Sequence, residues 1–246
     1  MKKRIFRGIG LSAIFIIPVY CFSQNAGADS LFILKFQDSV LQQYYTKTNA
    51  NTPIYSGAEY IGHGQSISGH AFFVSETPTD GIIEYDGILY KKLLVRYELV
   101  EDAIILKDYT QNYFIQLNSA KISRFWIGNS EFIRPSFVLP ESKFPSPGFY
   151  QRLYNGKSWV LAKRSKQLIY KTTEEKVTMQ YKTFNSYYIM KGNEIITISG
   201  KKDIISAFED KKVEIRKFIG EKHLNFKKDP EGMLISICTY FDQLKN

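Results

Sequence analysis

The chain has 246 residues and 33 Lys and Arg against 24 Asp and Glu, which gives a formal charge of +9. Hydrophobic residues make up 44% of the chain, with 16 glycines and 8 prolines, so the composition excludes a disordered or collagen-like protein. Two cysteines exclude a disulfide-stapled scaffold and a cysteine-cluster metal site, whereas the aromatic fraction of 15% is high.

Residues 1–23 predict a secretory signal peptide. Four cations, Lys2, Lys3, Arg4 and Arg7, precede an uncharged, mostly apolar run over residues 8–22. A run of about 15 residues is typical of a signal peptide and shorter than the ~20 residues that a membrane-spanning helix needs. Cleavage is expected after Ser23, or as late as residue 28. We therefore expect an exported, periplasmic or envelope-associated protein with no transmembrane segment in its mature chain.

Cys21 leaves a lipoprotein anchor open as an alternative, although Tyr20 stands where such signals place a small residue. Removal of the signal takes away four cations, so the mature chain has a charge of about +5. This modest charge fits an envelope protein, a glycan or an anionic lipid as partner better than it fits nucleic acid. Cys238 is then left without an intramolecular partner, and we expect it to be buried.

The mature chain predicts an α+β fold that is mainly β. Residues 29–46 have the spacing of an N-terminal helix. Residues 60–199 contain short apolar or β-branched runs, residues 71–75 among them, and these predict strands. They are separated by turn pairs such as Asp86-Gly87 and Asn155-Gly156, which supply the positive φ of two-residue hairpins. Sequential hairpins predict an antiparallel meander, either a curved sheet or a partly open barrel.

Two further segments complete the predicted architecture. Three prolines fall within residues 139–148, and this predicts a loop or a seam because proline cannot donate to a sheet. Residues 200–246 predict a helical hairpin packed on the sheet. Its first helix follows an apolar stripe from Ile204 to Ile219. Its second helix is predicted to begin at Asp229-Pro230, a capping oxygen followed by a proline whose missing N–H costs nothing there.

Candidate chemistry is densest in residues 62–70, which hold His63 and His70 among glycines and serines. The segment matches neither the G-x-S-x-G nucleophile motif nor the G-x-G-x-x-G dinucleotide motif. The seven-residue offset places the histidines on opposite faces of a straight strand, so no metal site is predicted. A bend at the glycines, with Glu76 or Asp80 as third ligand, is the alternative. Both histidines are candidate ligand-binding residues, and a glycine-bent strand with surface histidines is the competing interpretation.

The aromatic residues supply the other candidates for ligand binding: Phe125, Trp126, Tyr187 and Tyr188. Neighbouring rings along a strand point to opposite faces, so some of them are expected to face away from the core. Exposed rings could stack on sugars or receive a partner. The competing interpretation is packing, because Tyr and Phe suit the half-buried surface of a sheet.

Several short motifs are spread along the mature chain: Tyr60-Ile61-Gly62, Gly69-His70-Ala71-Phe72-Phe73, Tyr85-Asp86-Gly87, Gly148-Phe149-Tyr150 and Tyr154-Asn155-Gly156-Lys157. Through these motifs and its closing helices, the chain resembles a family of uncharacterised exported Gram-negative envelope proteins. That family has no assigned activity, so the resemblance implies a structure and a location but no functional residues.

Taken together, these features favour a non-enzymatic binding or interaction module of the cell envelope that uses no cofactor. Two alternatives stay open. One is a carrier of a lipid or other apolar ligand inside a half-barrel, against which a solid core would count. The other is an envelope hydrolase that uses the region from His63 to His70. A deep cleft lined by both histidines and by acids would favour this hydrolase over an interaction module.

Overall fold

The computed structural model describes residues 53–64, 67–108, 113–137, 139–172 and 177–244. The predicted signal peptide and the predicted helix over residues 29–46 lie outside these ranges. Within them, twelve strands form one open, mainly antiparallel sheet, followed by helices at the C-terminus. The predicted mainly β class is therefore confirmed.

The strands occur in the following order along the chain: β1 (Ala58–Glu59), β2 (Ile67–Ser68), β3 (Thr79–Tyr85), β4 (Ile88–Glu98), β5 (Ala103–Lys107), β6 (Phe114–Gln116), β7 (Ile122–Ile127), β8 (Ser130–Ile133), β9 (Tyr150–Asn155), β10 (Ser158–Thr172), β11 (Val177–Lys191) and β12 (Glu194–Ile198). Their order in the sheet is β1-β6-β5-β4-β3-β7-β8-β9-β10-β11-β12, and β2 pairs in parallel with β11. Two meanders thus meet where β3 pairs with β7. The sheet curls there, since Tyr97 of β4 and Phe132 of β8 have two strands between them and yet their ring centroids lie 5.0 Å apart.

Strands β10 and β11 are longer than the separate short strands that the sequence predicts. They pair continuously from Ser158↔Lys191 to Thr172↔Val177 and form a 15-residue hairpin arm. Polar residues such as Lys163 and Ser165 interrupt the apolar pattern without interrupting the strand. Backbone pairing with β11 carries the strand through these residues, and Lys163 also pairs with Asp102 at 2.7 Å.

Three helices follow the sheet: α1 (Lys201–Ala207), α2 (Lys212–Glu221) and α3 (Pro230–Gln243). The single helix predicted over residues 204–219 is wrong, because a 3-10 turn at Glu209–Lys211 divides it after the buried ring of Phe208. The predicted start of α3 is confirmed, since the Asp229 carboxylate accepts a hydrogen bond from the Gly232 amide at 2.8 Å. None of the helices in the described residues is long and apolar enough to cross a membrane.

Aromatic rings fill the concave side of the curled sheet. Tyr97, Phe125, Phe132 and Phe149 are completely buried. The rings of Phe125 and Phe132 stack with centroids 4.7 Å apart, and Tyr97 meets both edge-on at 5.2 and 5.0 Å. Rings at these separations leave no space between them for a ligand. This packing counts against an apolar ligand inside the curl.

A second buried cluster joins the helices to the far end of the sheet. It contains Val160 and Ile189 from the sheet and Ile204, Ile215 and Leu234 from the three helices. Cys238 of α3 is fully buried in the same cluster, as predicted. Burial raises the pKa of its thiol to about 12. The three helices therefore pack tightly against this end of the sheet and stabilise it.

Candidate functional site: the histidine cleft

The two histidines of the glycine-rich segment line one cleft of about 510 Å³. Two glycines between them bend the backbone: Gly64 has φ of +98° and Gly69 has φ of +82°. A bent segment therefore brings together side chains that a straight strand would separate. We call this site the histidine cleft. Its walls are residues 60–64, Ile67, residues 69–72, Glu76, Arg96 of β4, Phe114 of β6 and Tyr181 of β11.

A buried carboxylate holds the His63 ring in the histidine cleft. Glu98, at the end of β4, is completely buried, and its Oε1 lies 3.3 Å from His63 Nε2. Oε1 also accepts the Val100 amide at 2.9 Å, and Oε2 accepts the Glu101 amide at 2.5 Å. Since a carboxylate only accepts, His63 donates from Nε2, and in the neutral ring Nδ1 is left as an acceptor. This arrangement presents one oriented base to the cleft.

His70 is fixed in the complementary tautomer. Its Nδ1 accepts the Phe72 amide at 3.2 Å, so the proton of the neutral ring is on Nε2. Burial, and then the nearby Lys166 ammonium, lower the pKa of His70 below its usual value of 6.5. The same Lys166 binds the backbone carbonyls of His70 and Phe72 at 2.7 and 2.8 Å. His70 therefore offers a neutral N–H donor on a backbone that is tied to β10.

Arg96 lies between two phenyl rings at the wall of the cleft. Its guanidinium carbon is 4.1 Å from the ring centroid of Phe72 and 3.8 Å from that of Phe114. Nη1 donates to the Glu76 carbonyl at 3.3 Å, whereas the buried Nε has no hydrogen-bond partner. Within the described ranges, Arg96 forms no ion pair. The two phenyl rings thus hold the Arg96 guanidinium, and most of its N–H groups form no hydrogen bond with the described residues.

Two tyrosines contribute protonated hydroxyl groups. Burial, together with the charges of Glu98 and Glu101, raises the pKa of Tyr60. Burial also raises the pKa of Tyr181, followed by the charges of Glu98 and Glu76. Both phenols therefore stay neutral at physiological pH and can donate as well as accept. Tyr181 reaches the cleft because β2 pairs with β11 at the two preceding residues, Met179 and Gln180. The ring centroids of Tyr181 and His63 are 6.0 Å apart.

The predicted aromatic candidates do not join this site. Phe125 is fully buried in the concave core, and Tyr187 and Tyr188 are buried as well, so their prediction as ligand-facing rings is corrected. Both faces of β11 are covered at that point: Tyr187 donates to Glu231 of α3, and Tyr188 packs on Tyr150. Trp126 is partly buried, with the Arg124 guanidinium 5.3 Å from its ring.

Three residues of the histidine cleft carry no local sequence signal: Arg96, Tyr181 and the supporting Glu98. The one available hint is that Arg96 and Glu98 stand two positions apart in β4, as residues on one face of a strand do. For metal binding, no group of three or more His, Cys, Asp or Glu side chains converges among the residues that the structure describes. Glu76 lines the cleft, whereas Asp80 lines a neighbouring, more apolar recess of about 330 Å³ that shares Arg96 with the cleft.

No family model, curated protein or solved structure matches the chain. The resemblance to exported envelope proteins therefore stays a prediction, as do export and a periplasmic location. The geometry of the histidine cleft is the feature of the described residues that bears on function.

Proposed function

We propose that the protein is a binding module of the cell envelope that holds a small polar molecule in the histidine cleft. The observation that carries this proposal is the convergence of His63, His70, Arg96, Tyr60 and Tyr181 on one cleft of about 510 Å³. That volume lies within the range of roughly 300–1,000 Å³ that is typical of small-molecule sites. A surface that binds only another protein does not need a polar cleft of this volume.

Support for binding also comes from the way in which the polar groups are held. His63 is oriented by Glu98, His70 by the Phe72 amide, and Arg96 by two phenyl rings. Groups that are fixed before a ligand arrives lose little conformational entropy on binding, and this raises affinity. Location in the envelope is supported by the predicted signal peptide of residues 1–23 and by the resemblance described above.

Histidine-selective NMR tests this proposal, because the chain has three histidines and only two line the cleft. We expect small polar molecules from a fragment library to shift the ring signals of His63 and His70. The exposed His223, which follows α2, is the internal reference. Substitutions His63→Asn, His70→Asn and His223→Asn assign the three signals. If every bound fragment shifts His223 and none shifts the other two, the cleft is not the binding site.

Hydrolysis is a second candidate function, and the contact between His63 and Glu98 favours it. A buried carboxylate that orients a histidine is the arrangement of a general base. His63 Nδ1 would take a proton from water as the oxygen attacks an ester carbonyl, and the departing alcohol would take up that proton. Activity on ester substrates that falls in His63→Asn and persists in His223→Asn would support this candidate. Activity that is unchanged in both variants would remove it.

An apolar carrier is less well supported than either candidate. Stacked rings fill the concave side of the sheet, so an apolar ligand would have to occupy a surface recess, such as the one of about 330 Å³ beside Phe73 and Ile127 or the one of about 380 Å³ beside Leu224 and Phe226. Native mass spectrometry of the purified protein decides the question, because a carrier is expected to retain its ligand.

A further inference from the structure

The unused donors of Arg96 say what charge a ligand of the histidine cleft should carry. A guanidinium has five N–H donors, and the hydrogen bond that Arg96 forms with the described residues is the one to the Glu76 carbonyl. Nε is buried without a partner, and burial lowers the pKa of Arg96 from its usual value, so water has already been removed from part of the group. A desolvated donor without an acceptor is costly. The Nη donors that form no hydrogen bond with the described residues are left for a ligand, and an anion in the cleft would supply acceptors to them.

The two phenyl rings restrict the shape of that anion. The guanidinium carbon lies over the ring of Phe72 at 4.1 Å and over the ring of Phe114 at 3.8 Å. With two rings this close to the group, we take the edge of the guanidinium, in its own plane, as the side that a ligand approaches. A carboxylate is flat and binds such an edge through two parallel N–H···O bonds. A phosphate carries further oxygens above and below that plane, toward the rings.

The remaining polar groups of the cleft suit hydroxyls better than a second charge. His70 donates from Nε2, and His63 accepts at Nδ1 when neutral, by the hydrogen bonds already described. The hydroxyls of Tyr60 and Tyr181 do both. A ligand hydroxyl also donates and accepts, so it can pair with any of these groups. Glu76 and the buried Glu98 add negative charge nearby, which disfavours a ligand with more than one anionic group.

From this geometry we infer that the histidine cleft binds a hydroxylated carboxylic acid of the sugar-acid class, with its carboxylate on the edge of Arg96 and its hydroxyls on the histidines and tyrosines. The inference rests on the proposed function and names the ligand class of the same site. Arg96 is the residue that determines specificity for the charge.

Calorimetry and histidine-selective NMR on the mature chain test the inference with three probes: sodium D-glucuronate, D-glucose and inorganic phosphate. We expect glucuronate to bind at least about tenfold more tightly than glucose and phosphate, and to shift His63 and His70. Arg96→Gln should remove that preference, and Arg96→Lys should weaken it, because an ammonium lacks the two-point edge. Arg124→Gln is the matched control, since Arg124 pairs with Glu84 on the surface, away from the cleft.

A further variant tests the place of the carboxylate. The exposed Glu76 lines the cleft beside Arg96 and repels a ligand carboxylate, so Glu76→Gln is expected to tighten glucuronate binding without changing glucose binding. Weaker glucuronate binding in this variant would contradict the assigned orientation.

The other outcomes separate the inference from the proposed function. Equal affinity for glucose and glucuronate, with both shifting the two histidines, would overturn the sugar-acid inference and leave the binding module standing. Tighter binding of phosphate would overturn the choice of a carboxylate. No response to any probe would also overturn the inference, and the fragment screen would then decide the proposed function alone. If Arg96→Gln does not fold, the comparison of the probes on the natural chain still gives the answer.

Discussion

The Glu98 carboxylate is completely buried, and its Oε1 lies 3.3 Å from Nε2 of His63 at the wall of the histidine cleft. The same side chain accepts the backbone amides of Val100 and Glu101 in the turn that follows β4. One carboxylate therefore closes a turn of the fold and orients a side chain of the candidate site. Local structure and binding geometry are coupled at this residue.

Replacing Glu98 by Gln is expected to destabilise the protein by about 1–3 kcal/mol, because a buried backbone amide would then face an NH2 group instead of an acceptor. The free energy of unfolding in urea measures the loss. Glu84→Gln is the control, since Glu84 pairs with the exposed Arg124 at 2.6 Å, and such surface pairs contribute less than about 1 kcal/mol. Equal losses in the two variants would show that Glu98 does not hold the turn.

The contact between α3 and the sheet predicts a pH-dependent contribution to stability. Arg164 Nη1 donates to Glu231 Oε1 at 2.7 Å, and the Tyr187 hydroxyl donates to the same oxygen at 3.0 Å. Burial acts to raise the pKa of Glu231, but the hydrogen bond and charge of Arg164, with the bond from Tyr187, outweigh it. The pKa is therefore lowered from 4.5. The pKa of Glu231 is therefore lower in the folded protein than in the unfolded protein. The stabilisation is present above about pH 4.5 and is lost as the pH falls through the pKa of the folded protein.

The free energy lost in Glu231→Gln should accordingly be larger at pH 7 than at pH 3. Glu209→Gln is a suitable control, because Glu209 pairs with Lys212 on the exposed surface. Urea unfolding of the three proteins at both pH values gives the comparison. A Glu231→Gln loss that is the same at pH 3 and pH 7 would mean that the ion pair does not contribute in this way.

Sequence patterns predict elements well where local chemistry decides the structure. The positive φ at Asp86-Gly87 and the cap at Asp229 follow from residues next to one another in the chain. Residues 71–75, by contrast, predict a strand but contain a tight turn at Val74, with φ of +58° and the Ser75 amide bonded to the Phe73 carbonyl at 2.6 Å. Distant contacts impose that turn, because the Phe73 ring packs edge-on against Phe132.

A distant contact also shapes the turn at Asn155-Gly156. Its predicted positive φ is wrong at Gly156, since the turn is shaped by Asp242 of α3, which accepts the Lys157 amide at 2.7 Å and the Tyr154 hydroxyl at 3.0 Å. The residues of the candidate site also differ in whether the sequence predicts them. Its two histidines are close in sequence and were open to prediction. Arg96 and Tyr181 come from strands that only the folded sheet brings together.

Gly148 in the proline-rich segment should tolerate no side chain. It has φ of +96°, and a Cβ there would lie 1.5 Å from Asp102 Oδ2 and 2.6 Å from Lys163 Nζ, which are paired at 2.7 Å. Gly148→Ala should cost about 3 kcal/mol, from backbone strain together with a broken ion pair. Gly87→Ala has the same kind of strain, with φ of +77°, but no atom within 4 Å of its Cβ, and should cost about 1 kcal/mol. Thermal and urea unfolding measure both, and equal costs would contradict the close packing at Gly148.

We expect the Cys238 thiol to be unreactive in the folded protein. It is fully buried among the helices, and burial raises its pKa to about 12, so its thiolate fraction at pH 8 is on the order of one in ten thousand. In a Cys21→Ser background, we expect a disulfide reagent to label Cys238 only as fast as the protein unfolds, because the thiol has to leave the core first. A cysteine placed at the exposed Ser206 of α1 should react at once in the same background. Rapid labelling of Cys238 in the absence of denaturant would mean that α3 opens locally, and that the helices are a looser support for the sheet than their packing indicates.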